Sequence, residues 1–341
     1  MVNQSPERPP HNLGLDLVRA TEAAALAAGR WVGLGKPIEA DTSATEQMHA
    51  TLNLVDIEAT VSVGEEARVH SCDALRSGQC VGTGKGPTLD LVVDAIDGRN
   101  LVAEGHPGAI AVMAVAPRGA LWRPSGASYM EKIVVDAEVA DAFVPECLDA
   151  PAAWTLGMVA RAKEKDVEDL TVFVLNRPRH EALISEIREA GAHVMLRDEG
   201  DVTGALLAGR PGTHVDVLMG VGGITEGIIA ACALRATEGA MIGRLRPQSD
   251  KEQAKVVAAG FDLDRILVTE EIVNTDQVFF AATGITDGPI LRGVRYSGER
   301  AQSHSLVMRG TTRTRRMIHT QHLLTEQAAA WRRYIPGKPF R

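Results

Sequence analysis

Apolar and polar positions along the chain change rhythm near residue 150. Over residues 13–32, LGLDLVRATEAAALAAGRWV, alanine and leucine dominate, and the stretch reads as one long helix. A Gly/Pro break, GLGKP, follows; Ser43 and Glu46 in SATE then fit a capping box that opens a second helix just after Asp41. In IEATVSVG, Ile57, Ala59, Val61 and Val63 alternate with their neighbours, which predicts a half-buried strand ending at Gly64–Glu65. Strand-like runs at 89–96, 109–116 and 132–137 complete a first half that reads as helices packed on a largely antiparallel sheet.

Beyond residue 150, strand candidates LTVFVLN (170–176), HVMLR (193–197), VDVLMG (215–220) and QVFFAAT (277–283) alternate with helical stretches, among them 179–190 and 225–236. That alternation predicts a doubly wound α/β unit with a mainly parallel sheet, whose ligand loops follow the strand carboxyl ends. NRPRH, RDEGD, GVGGITEG and ATGITDG all fall at such ends. The expected division is a loose polar tail over 1–12, an α+β lobe over 13–160, an α/β lobe over 161–304, and a return segment over 305–341 that reads as helix after 317.

Composition narrows the function classes. A chain of 341 residues exceeds one ordinary core, so two lobes are expected. A net charge of −8 argues against general nucleic-acid binding. Cys72, Cys80, Cys147 and Cys232 form no CxxC pair and read as reduced thiols. The densest apolar run, AIAVMAVA (109–116), is strand-sized, and the polar start MVNQSPERPPHN lacks a leader-like stretch. A soluble cytoplasmic protein without a membrane partner is expected.

VVDAIDGRN (92–100) carries the strongest chemical signal. A strand end followed by a tight turn can aim Asp94 and Asp97 at one point, and hard cations such as Mg²⁺ prefer oxygen ligands. An Asp-Gly pair is equally an ordinary turn. Glu65 could reach across a cleft or be a solvated strand end; Asp41 could cap a helix; Glu226, after GVGG, could face a helix dipole. GTGKGP (82–87) lacks the Walker spacing and reads as a flexible connection. Arg177, Arg179 and His180 in NRPRH sit where a strand gives way to a helix, a place suited to phosphate. RTRRMIH (313–319) reads as surface or subunit contact. No GxSxG elbow and no HExxH motif is present.

Taken in order, RATEAAALAAGRWVGLGK, GEE, VDAIDG, YMEK, LTVFVLNRPRH, EGDVTGA, DVLMGVGGITEGIIAACAL, FFAATGITDG and SHSLVMRG resemble the class II, GlpX-type fructose-1,6-bisphosphatases, within the lithium-sensitive sugar and inositol phosphatases. The resemblance runs from about 13 to 322. It implies a layered α/β/α/β/α fold and Mg²⁺- or Mn²⁺-dependent hydrolysis of a sugar bisphosphate's phosphomonoester, in a homodimer or homotetramer. Asp41, Glu65, Asp94 and Glu226 match the family's metal-binding acids, and Asp97 stands where glutamate is usual. Tyr129, Arg177 and Arg179 match phosphate-holding positions, with Arg177 in place of a common lysine. Glu199 and Asp201 match an acidic pair that contacts sugar hydroxyls, with Glu199 in place of aspartate.

The departures from the family pattern gather at the reaction centre. GEEARVHS lacks the further acids of the family's GEGExDE run, and Arg99 occupies the position of a threonine that activates the attacking water. Like charges about 4 Å apart repel by about 4 kcal/mol at a protein surface. Fewer cations than in typical members are therefore expected. Arg99 has three possible arrangements: outward, with Asn100 or a water in the hydroxyl's role; inward, clamping phosphate in place of a metal; or paired with Asp94 or Asp97. A sugar-phosphate phosphatase is the leading reading, with Asp94, Asp97, Glu65 and Arg99 at the reaction centre. The alternatives are non-hydrolytic proton transfer by Glu65, Asp97 or His70, and a catalytically inactive sugar-phosphate-binding protein.

Overall fold

The computed structural model describes residues 13–64 and 74–324. These form, in order, α1 (Leu13–Ala28), α2 (Pro37–Leu52), β1 (Glu58–Val63), β2 (Cys80–Val81), β3 (Thr88–Asp97), α3 (Arg99–Glu104), β4 (Ile110–Pro117), β5 (Tyr129–Val135), α4 (Ala137–Ala140), α5 (Ala152–Ala162), β6 (Thr171–Leu175) and α6 (Glu181–Glu189). The chain continues through β7 (His193–Arg197), α7 (Asp201–Ala208), β8 (Val217–Gly223), α8 (Ile224–Thr237), β9 (Ala240–Leu245), α9 (Asp250–Ala258), β10 (Leu267–Val268), α10 (Thr269–Ile272), β11 (Phe279–Gly284), β12 (Arg295–Ser297), β13 (Arg300–Arg309) and β14 (Thr314–Leu323). None of these helices is long and apolar enough to cross a membrane.

The two-residue period of the strands sorts their side chains into separate cores. On the first sheet, Leu91, Val93, Met113, Val115 and Phe279 pack under α1 and α2. Their neighbours Val92, Val112, Ala114 and Phe280 face the other way, into a core shared with α7, α8 and one face of the second sheet. The far face of that sheet, with Ile133, Val172, Val174 and Met219, packs under α5 and α6. Helices, sheet, helices, sheet, helices: the α/β/α/β/α order implied by the resemblance is the order observed.

Several expectations need correction. The second helix starts at Pro37, whose fixed φ suits a first helical position, so Asp41 lies within α2 and Ser43 and Glu46 form no capping box. The second sheet, β10-β9-β5-β8-β6-β7, is mixed rather than mainly parallel. Only β7, β6 and β8 pair in parallel, because β5 inserts antiparallel between β8 and β9. The run at 277–283 forms a strand, β11, but one in the first sheet, antiparallel to β4 and β13. The chain thus leaves the first sheet after β4, builds the second with β5–β10, and returns at β11. Residues 317–323, expected as helix, belong to β14, which pairs with β13 along its whole length. Glycine at 82 and 86 lets GTGKGP press against the carbonyls of Ile57 and Asp56, so this connection is tightly held. Cys80, Cys147 and Cys232 are free thiols, as expected; Cys72 lies outside the described residues.

Candidate active site

One cavity between the carboxyl end of β3, the start of β5 and the amino ends of α7 and α8 gathers most of the expected residues. Asp94, Asp97, Arg99, Tyr129, Arg177, Arg179, Glu199, Asp201 and Glu226 all line it. Asp41 is buried on α2 and is not among the lining residues. Glu65 and Glu66 lie outside the described residues.

A backbone irregularity brings Asp94 and Asp97 together. In a regular strand, residues three apart face opposite sides of the sheet. Along β3 the register against β4 shifts between Asp94, opposite Val112, and Asp97, opposite Ile110. Three steps on β3 answer two on β4, the signature of a bulge. The extra residue turns both carboxylates into the same cavity. Asp94 Oδ1 accepts from Ile96 N at 3.0 Å, which fixes the bulged turn. Gly98 then takes a left-handed conformation (φ 102°) and starts α3 with Arg99 as its first residue.

Asp97 sits at the electrostatic centre of this wall. Burial, then the charges of Glu226, Asp201 and Glu199, hold its carboxyl well above the usual carboxylate range, against a backbone hydrogen bond from Val202 N. That bond, 3.1 Å to Oδ2, ties Asp97 to the first turn of α7. Glu226, in the first turn of α8, is likewise buried.

A second group of residues, of which Lys132 and His180 do not line the cavity, is neutralised by its own partners. Lys132, in the middle of β5, is 1% exposed and its ammonium meets Asp201 Oδ2 at 2.5 Å. The pair lies over Gly222, where an added Cβ would fall 1.9 Å from Asp201 Oδ2 and 2.6 Å from Lys132 Nζ. Arg179 donates through Nε and Nη2 to Val221 O, at 3.2 and 2.8 Å, and lies over the Tyr129 ring at 5.4 Å. His180 accepts from Val221 N at 2.8 Å through Nε2, so its Nδ1 carries the proton and donates to Leu175 O at 2.6 Å. Burial first, then Arg179 and Lys132, push this imidazole down and keep it neutral. Both backbone groups of Val221 are thereby strapped to the turn that carries Arg179.

Arg99 is half-buried, lines the cavity, and has no ion pair with Asp94 or Asp97 among the described residues. The paired arrangement is therefore not the one seen among the described residues. Asn100 does not take the hydroxyl's role either: its backbone N and Nδ2 donate to the two oxygens of Glu199 at 2.9 and 2.6 Å. Glu199, with Arg177 Nη2 at 3.9 Å, thus bridges two rims of the cavity.

The donor set suits a hard cation. Asp94, Asp97 and Glu226 offer only oxygen, and the charge crowding around Asp97 is what a bound cation relieves. Among the described residues, no three acidic, histidine or cysteine side chains already stand as a coordination shell. The fit is thus one of charge and donor type rather than of a finished cage.

A sequence model of the bacterial, glpX-encoded fructose-1,6-bisphosphatases matches residues 11–322. This chain belongs to that family. A class 2 fructose-1,6-bisphosphatase of Haemophilus influenzae is 37% identical over 327 residues, covering 92% of this chain and 97% of its own length. Fructose-1,6-bisphosphatase 1 class 2 of Escherichia coli K12 is 36% identical over 325 residues, covering 92% and 95%. Two features of this glpX-type chain escaped the sequence reading. Lys132 carried a signal, a lysine inside the apolar strand YMEKIVV; the Asn100–Glu199 bridge spans 99 residues of sequence and carried none.

Proposed function

We propose that this chain is a divalent-cation-dependent phosphatase acting on the phosphomonoester of a sugar phosphate or bisphosphate. The observation that carries it is one cavity lined both by the carboxylates Asp94, Asp97 and Glu226 and by the guanidinium groups of Arg177 and Arg179. Mg²⁺ or Mn²⁺, when bound, would neutralise phosphate charge and lower the pKa of a water. Asp94, Asp97 and Glu226 would hold it, with Glu65 and Asp41 supplementing them by family position, and fewer ions would bind than in typical members. Arg177 and Arg179 grip phosphate oxygens, Tyr129 orients Arg179, and Glu199 and Asp201 meet sugar hydroxyls. Arg99, facing the cavity without a carboxylate partner among the described residues, adds a further guanidinium to the phosphate clamp. No hydroxyl stands at residue 99, so Asp94 and Asp97 orient the attacking water. The oxygen of that water bonds to phosphorus as the water gives up one proton, the P–O ester bond breaks, and the sugar oxygen takes up one proton and leaves as an alcohol. A homodimer or homotetramer in the cytoplasm completes the reading.

Arg99 in the place of the family's threonine favours one second reading, sugar-phosphate chemistry without hydrolysis. Phosphate release from a panel of sugar mono- and bisphosphates, with Mn²⁺ or with a chelator, separates the two. Chelator-sensitive release by the wild type supports hydrolysis. Silence across the panel, with activity gained in Arg99→Thr, marks residue 99 as the point where hydrolysis was lost.

A further inference from the structure

Away from the candidate active site, a cavity of about 190 Å³ opens between the edge of the first sheet and the loop joining α7 to β8. It shares no lining residue with that site. Two guanidinium groups line it, those of Arg210 and Arg315, and no carboxylate does. Arg315 stands opposite Met308 in the β13–β14 register, so it projects from the same face of the sheet as that buried residue.

Arg315 belongs to RTRRMIH, the basic run that the candidate active site does not use. Its neighbours in that run have partners. Arg313 Nη1 meets Glu238 Oε1 at 2.6 Å, and Arg316 Nη1 donates to Thr314 Oγ1 at 3.2 Å. The side chains of Arg315 and Arg210 have no ion pair and no hydrogen bond among the described residues.

Two like charges left to themselves move apart; here the backbone keeps them together. Thr213 Oγ1 donates to Leu207 O at 2.8 Å and accepts from Val215 N at 3.2 Å, which ties the loop carrying Arg210 to the end of α7. Arg315 is held by the pairing of β14 with β13. Partial burial, then the charge of Arg210, lower the Arg315 guanidinium from its ordinary value, so each group feels the other.

A cavity with two guanidinium forks and no acid has donors without acceptors and positive charge without a counter-charge. An oxyanion answers both. A carboxylate has two oxygens in one plane and suits a single fork, whereas a phosphate group presents oxygens to two. The volume is ample, since one water takes about 30 Å³.

We propose that Arg210 and Arg315 form an anion site for a phosphate group, free or carried as a monoester on a small molecule, separate from the candidate active site. It does not depend on the sugar-phosphate reading above.

The test is equilibrium dialysis of the full chain against radiolabelled inorganic phosphate, in chelator, with ionic strength held by chloride. The expected result is a class of bound phosphate that Arg177→Gln leaves in place and that Arg210→Gln and Arg315→Gln each weaken by about tenfold or more. Melting temperatures separate ligand binding from a structural role. In chloride alone neither variant should melt below wild type, because each removes a repulsion, whereas the rise that phosphate gives wild type should shrink in both. Competition by ribose 5-phosphate distinguishes the two sources: displacement stronger than by unlabelled phosphate assigns a monoester, and weaker displacement assigns the free ion. No bound phosphate, or binding that Arg210→Gln and Arg315→Gln both leave within about twofold of wild type, overturns the proposal.

Discussion

Two neighbouring groups of buried residues at the site handle charge in different ways. On the Lys132 side every buried ionic group has a partner: Asp201 has the ammonium, Arg179 has the Val221 carbonyl and the Tyr129 ring, and His180 stays neutral. On the Asp97 side, carboxylates crowd one another, and burial lifts the central carboxyl well above its usual range. A buried charge is tolerated when paired and costly when not. The Lys132–Asp201 pair is compensated by folding itself, whereas burial and the neighbouring carboxylates act against the charge of Asp97.

The largest effect is expected from the crowded carboxylates. Asp94→Asn should cut cation-dependent phosphate release by roughly two to three orders of magnitude, with far-UV circular dichroism unchanged. Release within a few-fold of wild type would remove Asp94 from the reaction. The Lys132–Asp201 pair is expected to fail by unfolding instead. Lys132→Met leaves Asp201 buried and alone, and should lower the urea-unfolding free energy by about 3–5 kcal/mol. Adding Asp201→Asn should recover part of that loss; no recovery would mean that the lysine matters through packing rather than charge.

Gly222→Ala sharpens the comparison from the backbone. Its methyl group would collide with the Asp201–Lys132 pair, so a loss of about 1–3 kcal/mol is expected, measured by the same unfolding curve. An unchanged midpoint would show that the pair can move aside.

The smallest effect is a pH dependence. Because the His180 pKa is lowered in the fold, the unfolded chain binds the proton more readily once pH drops below about 6.5. Stability from this residue is therefore complete above that pH and declines as pH falls toward the depressed folded value. Melting temperature should slope downward from pH 6.5 to 5, and the slope should flatten in His180→Gln. An equal slope in the variant assigns the effect to another group.

Much of this molecule was legible in its sequence. The periods of 3.6 and 2 marked α1, α8 and the strands β1, β3, β4, β6 and β7, because they reflect backbone geometry acting over a few residues. The acids of VVDAIDGRN and the arginines of NRPRH were visible as residue types at strand ends. Tertiary structure decided the rest. Nothing local in β5 or β11 says which sheet will take it; strand pairing is settled by partners far along the chain and by the faces left to cover. Whether Asp94 and Asp97 face one cavity depended on a bulge set by pairing with β4. Lys132 meets Asp201 across 69 residues, and Glu199 occupies Asn100 across 99. Residue chemistry is carried by the sequence itself, but charge compensation depends on distance in space, and only the fold brings those groups within reach of each other.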